Sequence, residues 1–253
     1  MSRLSIRNLS KTFGGVKAVQ DVSIDIRQGA IHAVIGPNGA GKTTLFNLIT
    51  GVYTPTTGEI LFRNENVAGK SPDELAQRGM SRTFQNLQVC MNMSALENVM
   101  VGAHLRMNRS LIAGLLRLPS LRRADFACRA EAIELMRFVG VGKYRDYAAN
   151  QMPYGALKRL EVARALAARP QILLLDEPAA GLNHTETGEI EALIRKVAAS
   201  GVTVVLVEHD MKLVMNLSDH ITVLDYGKKL AEGTPAEVRA DPNVIAAYLG
   251  ASA

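Results

Sequence analysis

The sequence predicts an α/β fold with a parallel sheet at its core, an antiparallel β subdomain beside the sheet and an inserted helical subdomain. Four nearly continuous apolar runs separated by helical patterns predict the parallel sheet. Three runs of alternating apolar and polar residues predict the antiparallel part. Residues 86–168 contain no convincing strand pattern and predict the helical insertion. We expect residues 1–253 to form a single domain with this insertion inside it.

The parallel core is predicted from strands that are apolar on both faces. These runs occupy residues 30–36, 172–176, 202–208 and 220–225. Helical patterns occur at residues 42–50, 157–168, 186–199 and 211–217. Apolar strands that alternate with helices indicate a parallel sheet, because each return to the starting edge needs a long crossover.

Weaker signals predict the remaining elements. The alternating runs lie at residues 4–14, 19–29 and 58–67, and they are typical of strands with one solvated face. Capping boxes, in which Ser or Thr is followed three residues later by Glu, predict helices that begin at Ser71, Ser94 and Thr234.

Composition indicates a reduced, cytosolic chain. Hydrophobic residues make up 47% and charged residues 21%, a balance typical of globular domains. No apolar run approaches the ~18 residues of a membrane span. Cys90 and Cys128 have no metal-binding spacing, and the N-terminal "MSRLSIRNLS" is too polar for a signal peptide. We expect any membrane association to go through a partner protein.

The net charge of +5 favours anionic partners without choosing among nucleotide, nucleic acid and membrane surface. Residues 104–145 concentrate this charge, with nine Arg or Lys against three acids. This basic stretch is either a solvated helical face near anionic headgroups or a nucleic-acid contact.

A glycine-rich loop predicts a phosphate site. "GPNGAGKTT" matches G-x-x-x-x-G-K-[ST] between a predicted strand and a predicted helix, the context that this motif needs. Lys42 is expected to reach the β- and γ-phosphates of a nucleoside triphosphate, and the Thr43 hydroxyl to coordinate Mg²⁺. An ordinary glycine-rich turn is the alternative. The predicted nucleotide-binding residues are Gly36, Pro37, Asn38, Gly39, Ala40, Gly41, Lys42, Thr43 and Thr44.

Polar side chains at the ends of two other buried strands predict the catalytic half of the site. Asp176 ends "ILLLD" and is expected to hold Mg²⁺ through water. Glu177 follows directly and is the expected general base for a water aimed at the γ-phosphorus. His209 follows "VTVVLVE", at the sheet edge where ligands of open α/β folds bind. A solvated turn and a structural histidine are the alternatives for these residues.

Taken in order, the motifs resemble those of ATP-binding-cassette (ABC) ATPases, whose core is a P-loop nucleoside-triphosphatase fold. The phosphate loop is followed by "RTFQN", "PYGALKR", "LLLDEP", "AGLN" and "VEHD". The match covers essentially the whole chain. "SRTFQNLQ" and the tail from residue 217 to residue 250 are similar to the larger ATPase subunit of branched-chain amino-acid importers.

The resemblance implies further roles. Phe13 would stack on adenine, although it could instead pack within the β subdomain. Gln85 would contact Mg²⁺ or the attacking water and couple the γ-phosphate to the helical subdomain. His209 would hydrogen-bond the γ-phosphate, and residues 181–183 would lie along a dimer interface.

The turn at "MPYGA" occupies the place of the LSGGQ signature of this family. Tyr154, Gly155 and Ala156 would therefore cap the ATP of a partner subunit in a head-to-tail dimer. Only the glycine matches, because Pro153, Tyr154 and Ala156 replace serine, glycine and glutamine. The importers also usually carry glutamine where this chain has Leu157. These departures reduce the contacts available for capping and leave the phosphate-loop chemistry intact.

The resemblance implies an ATP-hydrolysing subunit, with ATP and Mg²⁺, that powers uptake of branched-chain or related hydrophobic amino acids. The expected partners are a second ABC ATPase subunit, two membrane permease subunits and, indirectly, an extracytoplasmic amino-acid-binding protein. The expected location is peripheral, on the cytoplasmic face of the inner membrane.

Two other functions are weighed against this one. A non-transport ABC ATPase acting on nucleic acid or ribosomes would use the basic stretch. It would usually carry a long coiled coil or a second cassette, and neither is visible, so no nucleic-acid partner is expected. A small kinase would use the same loop but would not explain Gln85, Gly155 and His209 in their order.

Overall fold

The computed structural model of the protein describes residues 2–106 and 119–250. Its strands are β1 (Ser2–Phe13), β2 (Val16–Arg27), β3 (Ile31–Ile35), β4 (Thr57–Phe62), β5 (Glu65–Asn66), β6 (Met80–Arg82), β7 (Ile172–Asp176), β8 (Thr203–Val207), β9 (His220–Asp225) and β10 (Lys228–Gly233). Its α-helices are α1 (Lys42–Ile49), α2 (Pro72–Gln77), α3 (Ala95–Gly102), α4 (Pro119–Phe138), α5 (Tyr154–Leu166), α6 (His184–Ala199), α7 (Met211–Leu217), α8 (Pro235–Ala240) and α9 (Pro242–Gly250).

The core is a six-stranded sheet in the order β10-β9-β3-β8-β7-β6. All neighbours pair in parallel except β10, which forms an antiparallel hairpin with β9. Every residue of β3, β7 and β8 is buried, and the prediction of four doubly covered strands is confirmed. The edge strands β6 and β10 were not predicted, because β6 has three residues and β10 is mostly polar.

The β subdomain is a four-stranded antiparallel sheet in the order β2-β1-β4-β5. The single strand predicted at residues 58–67 is wrong. Arg63 and Asn64 have φ angles of 54° and 64°, so the chain reverses there and β5 folds back on β4. Two successive positive φ angles are the geometry of a tight hairpin turn, which the alternating pattern does not reveal.

Two apolar clusters cover the two faces of the six-stranded sheet. In β7, Leu173 and Leu175 belong to the cluster under α3, α5 and α6. Ile172 and Leu174 belong to the cluster shared with α1 and the β subdomain. Because successive strand residues point to opposite faces, this split explains why the run is continuously apolar.

In the part of the chain that connects β6 to β7, helices α3, α4 and α5 pack together. No named strand lies among the described residues of this connection. Capping boxes start α2, α3 and α8 at Ser71, Ser94 and Thr234, which confirms those three predictions.

Of the basic stretch at residues 104–145, Arg109 and Arg117 lie outside the described residues. Within the described part of the chain, no helix is both long and apolar enough to span a bilayer.

Candidate functional site

The phosphate loop joins β3 to α1 and wraps tightly against the neighbouring chain. Gly36 has a φ of 152°, and a Cβ there would meet the Leu224 carbonyl oxygen at 2.1 Å. Gly41 has a φ of 96°, and a Cβ there would meet the Ala18 carbonyl oxygen at 2.4 Å. Both positions therefore require glycine, for space as well as for backbone conformation.

A cleft of about 520 Å³ opens over this loop. Its walls include residues 38–44, Glu177, Val16 and Tyr226. The Nζ of Lys42 donates to the carbonyl oxygens of Gly36 and Pro37 at 2.6 and 2.9 Å, so the ammonium lies within the loop. Burial lowers the pKa of Lys42, and the Glu177 carboxylate opposes that shift.

The catalytic candidates predicted from three separate stretches converge on Glu177. The side-chain amide of Gln85 donates to Glu177 Oε2 at 2.9 Å. The Nδ1 of His209 lies 3.7 Å from Glu177 Oε1. Glu177 itself has a φ of 47°, a conformation that costs a non-glycine residue free energy and is often found at functional sites.

Phe13 lies at the end of β1, with its ring 5.2 Å from the ring of Tyr53 and the Nζ of Lys11 4.9 Å from its centroid. The ring is partly exposed and is not among the residues that line the cleft. Its strand partner Val16 does line the cleft, so the structure brings Phe13 to the rim of the cleft.

The signature turn, residues 152–156, begins α5 three residues before the predicted helix start. Pro153 is the N-cap, and its carbonyl oxygen accepts hydrogen bonds from the N–H groups of Ala156 and Leu157. Ala156 and Leu157 are buried at 2% and 7% exposure, so their side chains belong to the core. Pro153 and Tyr154 are exposed, so Tyr154 is the aromatic side chain that this turn presents to solvent.

This turn also contacts the loop after β7. A Cβ at Gly181 would lie 3.2 Å from the Tyr154 ring, and a Cβ at Gly155 would lie 2.5 Å from Glu186 Oε1. The signature turn, the 181–183 segment and the start of α6 therefore form one packed surface.

Three charged residues spaced along α5 hold the backbone of residues 84–88, which includes Gln85. Lys158 Nζ donates to the Gln85 carbonyl oxygen at 3.2 Å, and Arg164 donates to the Gln88 carbonyl oxygen. Glu161 accepts from the N–H groups of Phe84 and Gln88. Burial raises the pKa of Glu161, while these two N–H groups oppose the shift.

Glu208 was not singled out from the sequence, although it directly follows the buried strand β8, as Glu177 follows β7. Its Oε1 accepts from the Ala179 N–H at 2.8 Å, and its Oε2 accepts from the His209 N–H at 3.1 Å. Burial raises the pKa of Glu208. The carboxylate therefore ties the loop after Glu177 to the loop that carries His209.

A phosphate loop between a parallel strand and a helix, facing carboxylates at the end of a second strand, defines a P-loop nucleoside triphosphatase. Residues 19–180 match the family described as ABC transporter, and residues 228–253 match the family described as branched-chain amino acid ATP-binding cassette transporter. The chain belongs to the ABC transporter family, as an ATP-binding and ATP-hydrolysing subunit.

Two relatives show how far the similarity extends. The chain is 44% identical over 253 residues to the high-affinity branched-chain amino acid transport ATP-binding protein BraF of Pseudomonas aeruginosa, covering 99% of each chain. It is 43% identical over 248 residues to the protein LivG of Escherichia coli, described in the same words, covering 98% of this chain and 97% of LivG.

Solved structures of ABC transporter cassettes share the fold. A nucleotide-free cassette matches with a TM-score of 0.85 and 32% identity, covering 98% of this chain and 99% of that one. A dimeric cassette in a post-hydrolysis state, bound to ADP and Pi, matches with a TM-score of 0.76 and 26% identity, covering 92% and 98%. The predicted fold class and the family resemblance are both confirmed.

Proposed function

We propose that the protein is the ATP-hydrolysing subunit of an importer for branched-chain or related hydrophobic amino acids. The observation that carries the proposal is similarity over the full length, at 43–44% identity, to two ATP-binding proteins of branched-chain amino acid transport. The match of the C-terminal segment 228–253 to the corresponding family supports it independently. A non-transport function on nucleic acid is not favoured by these relatives.

The cleft supports ATP binding by residues 36–44. The loop and the N-terminus of α1 offer N–H donors to the β- and γ-phosphates, and Lys42 adds a charge-assisted contact. Adenine would lie at the rim near Phe13, because its strand partner Val16 forms part of the cleft wall.

The oxygen ligands near the loop suit Mg²⁺. Thr43 lines the cleft, Asp176 ends β7, which only β8 separates from β3, and Gln85 approaches from the 84–88 segment. Mg²⁺ prefers hard oxygen ligands and keeps several waters and phosphate oxygens, so few protein ligands suffice. The ion would supply charge neutralisation on the phosphates.

Glu177 is proposed as the general base that takes a proton from the attacking water. Gln85 and His209 contact its two oxygens, and this fixes the carboxylate at the mouth of the cleft. Each of them is a donor that could turn to the γ-phosphate or to the water when nucleotide binds. The three residues then act as one unit that senses the γ-phosphate.

A second ABC ATPase subunit is proposed to complete the site. The dimeric cassette bound to ADP and Pi has the same fold, which supports a sandwich of two subunits. Tyr154 and Gly155 open α5, and the first N–H groups of a helix have no partner within the helix. These groups would cap the nucleotide held by the other subunit, with the Ala156 N–H already directed to Pro153.

One membrane permease subunit is proposed to dock on this chain, in an apolar cleft of about 290 Å³ between the sheet and the helices, and the second permease subunit on the partner ATPase. This docking would place the protein on the cytoplasmic face of the inner membrane, with an extracytoplasmic amino-acid-binding protein acting through the permeases. The lining residues include Val52, Leu75, Met80, Phe84, Val101 and Leu105.

Reconstitution tests the proposal. The protein, co-expressed with two candidate permease subunits and a candidate second ATPase subunit from its own organism, should co-purify with the membrane subunits and drive ATP-dependent leucine uptake into proteoliposomes. Uptake should fail when Glu177→Gln replaces the wild-type chain. Absence of co-purification together with tight, salt-sensitive binding to duplex DNA or RNA would instead support the nucleic-acid alternative.

A further inference from the structure

A buried ion pair joins Arg82 to Asp176, the residue proposed to hold Mg²⁺. Arg82 ends β6 and Asp176 ends β7, and these parallel neighbours bring their carboxyl ends to the same edge of the sheet. Arg82 Nη2 lies 2.7 Å from Asp176 Oδ2, and the two side chains are only 8% and 7% exposed. Among the residues that the structure describes, Arg82 alone hydrogen-bonds the Asp176 carboxylate.

The guanidinium of Arg82 is itself held from the opposite side. Its Nη1 donates to Asn47 Oδ1 at 2.6 Å and to Thr50 Oγ1 at 2.9 Å. Asn47 belongs to α1, and Thr50 is its C-cap. The Phe84 ring covers the guanidinium, with the centroid 4.8 Å from Cζ.

Arg82 therefore links Asp176 to the helix whose first residues are Lys42 and Thr43. The planar fork of arginine makes this link possible, because one guanidinium donates in two fixed directions at once. Stability alone does not explain the pair, since a buried ion pair often stabilises no more than apolar residues of similar size. The pair occupies Oδ2 and leaves Oδ1 without a donor among the described residues of the protein.

We propose that Arg82 is a positioning residue for the metal: it fixes Asp176 through Oδ2 so that Oδ1 is available to Mg²⁺ and its waters. The inference rests on the proposed role of Asp176 in holding Mg²⁺. Residues that orient a metal-binding side chain in this way typically change metal affinity by 10- to 100-fold when replaced.

Arg82→Lys is the sharpest variant, because it keeps the charge and loses the fork. ADP is titrated calorimetrically into the protein in excess Mg²⁺ and in EDTA, and the ratio of the two affinities is the metal effect. We expect the ratio to fall about tenfold in Arg82→Lys while ADP affinity in EDTA stays within about twofold. Arg78→Lys is the matched control, since Arg78 pairs with Glu65 at the surface. It should leave the ratio unchanged.

A double-mutant cycle separates positioning from an independent structural effect. Asp176→Asn should abolish most of the metal effect, and adding Arg82→Lys should lower it no further, because Arg82 acts through Asp176. Additive losses in the double variant would overturn the proposal. So would equal losses with and without Mg²⁺ in Arg82→Lys, which would indicate general damage to the site.

Charge neutralisation is the competing explanation, and Arg82→Met distinguishes it. If Arg82 only neutralises Asp176, Arg82→Lys should match the wild type and Arg82→Met should bind Mg²⁺–ADP more tightly, which would refute positioning.

Where Arg82→Lys does not fold, Asn47→Ala removes one acceptor of the guanidinium and should lower the ratio about threefold; an unchanged ratio would refute the link. A wild-type ratio near one would refute the proposed Mg²⁺ role of Asp176 itself.

Discussion

The side-chain amide of Gln85 donates a hydrogen bond of 2.9 Å to Glu177, a residue 92 positions further along the chain. Gln85 begins the segment that leads into the helices, and Glu177 follows strand β7. The backbone of Gln85 is held in turn by Lys158 of α5. A movement of Glu177 therefore has a short path, through Gln85, to the helices that pack beside the apolar cleft.

Replacing Glu177 by Gln should nearly abolish hydrolysis and preserve nucleotide binding. The amide keeps the size of the carboxylate and can still accept from Gln85 through its oxygen, but it cannot accept a proton from water. General-base catalysis contributes about 10²- to 10⁴-fold, so turnover should fall by at least ~100-fold. Phosphate release measures the rate, and calorimetric titration measures ATP affinity. Glu59→Gln, at an exposed position of β4, is the control; turnover in Glu177→Gln equal to this control would refute the general-base role.

Lys42→Ala should weaken ATP binding. The ammonium is held inside the phosphate loop, where a charge-assisted contact to phosphate is worth about 1.5–3 kcal/mol. The loss corresponds to roughly 10- to 150-fold in the dissociation constant. Lys228→Ala, at an exposed position of β10, should leave the affinity unchanged. Equal ATP affinity in the two variants would contradict the assignment of this loop.

Gly155→Ala should be energetically coupled to Glu186. The added Cβ would lie 2.5 Å from Glu186 Oε1, while Glu186 Oε2 accepts from the Asn183 N–H in the capping box of α6. Moving the carboxylate away weakens that cap, so Gly155→Ala should be about 1 kcal/mol less favourable in the wild type than in Glu186→Ala.

Urea unfolding of the wild type, Gly155→Ala, Glu186→Ala and the double variant measures this coupling between Gly155 and Glu186. Gly188→Ala is the control, because nothing lies within 4 Å of a Cβ at this exposed position of α6. It should stabilise the protein by about 0.5–1 kcal/mol in both backgrounds. A Gly155→Ala effect that is independent of residue 186 would show that the contact carries no energy.

The protein should lose stability between pH 7 and pH 5 because of His32. Burial lowers the pKa of His32 to about 3, and the nearby His220 and Lys229 add to the shift. The unfolded chain binds a proton near the ordinary pKa of 6.5, so stability is lost as pH falls below that value. At pH 5 this amounts to about 2 kcal/mol.

Comparison with a variant isolates the contribution of His32. The difference in unfolding free energy between pH 7 and pH 5 should shrink in His32→Gln and stay at the wild-type value in His104→Gln, whose ring is exposed. Urea titrations at the two pH values provide the measurement. Parallel pH profiles for wild type and His32→Gln would mean that another group dominates this range.

Local patterns in the sequence predicted most of the fold. The apolar strands of the sheet and the three capping boxes depend on neighbours in the chain, so they could be read without knowing the tertiary structure. The reversal at Arg63 and Asn64 could not, because no glycine marks it. The edge strands β6 and β10 are defined by the strands beside them and carry little apolar signal of their own.

The sequence by itself determined the residue types of the site: the phosphate loop with Lys42, the carboxylates Asp176 and Glu177, and His209, each at the end of a patterned element. Only the tertiary structure decided which of them meet. Arg82 reaches Asp176 because β6 pairs with β7, and Gln85 reaches Glu177 because α5 holds its backbone. Those contacts join residues about 90 positions apart, and their geometry is set by strand order and helix packing, which local sequence patterns do not encode.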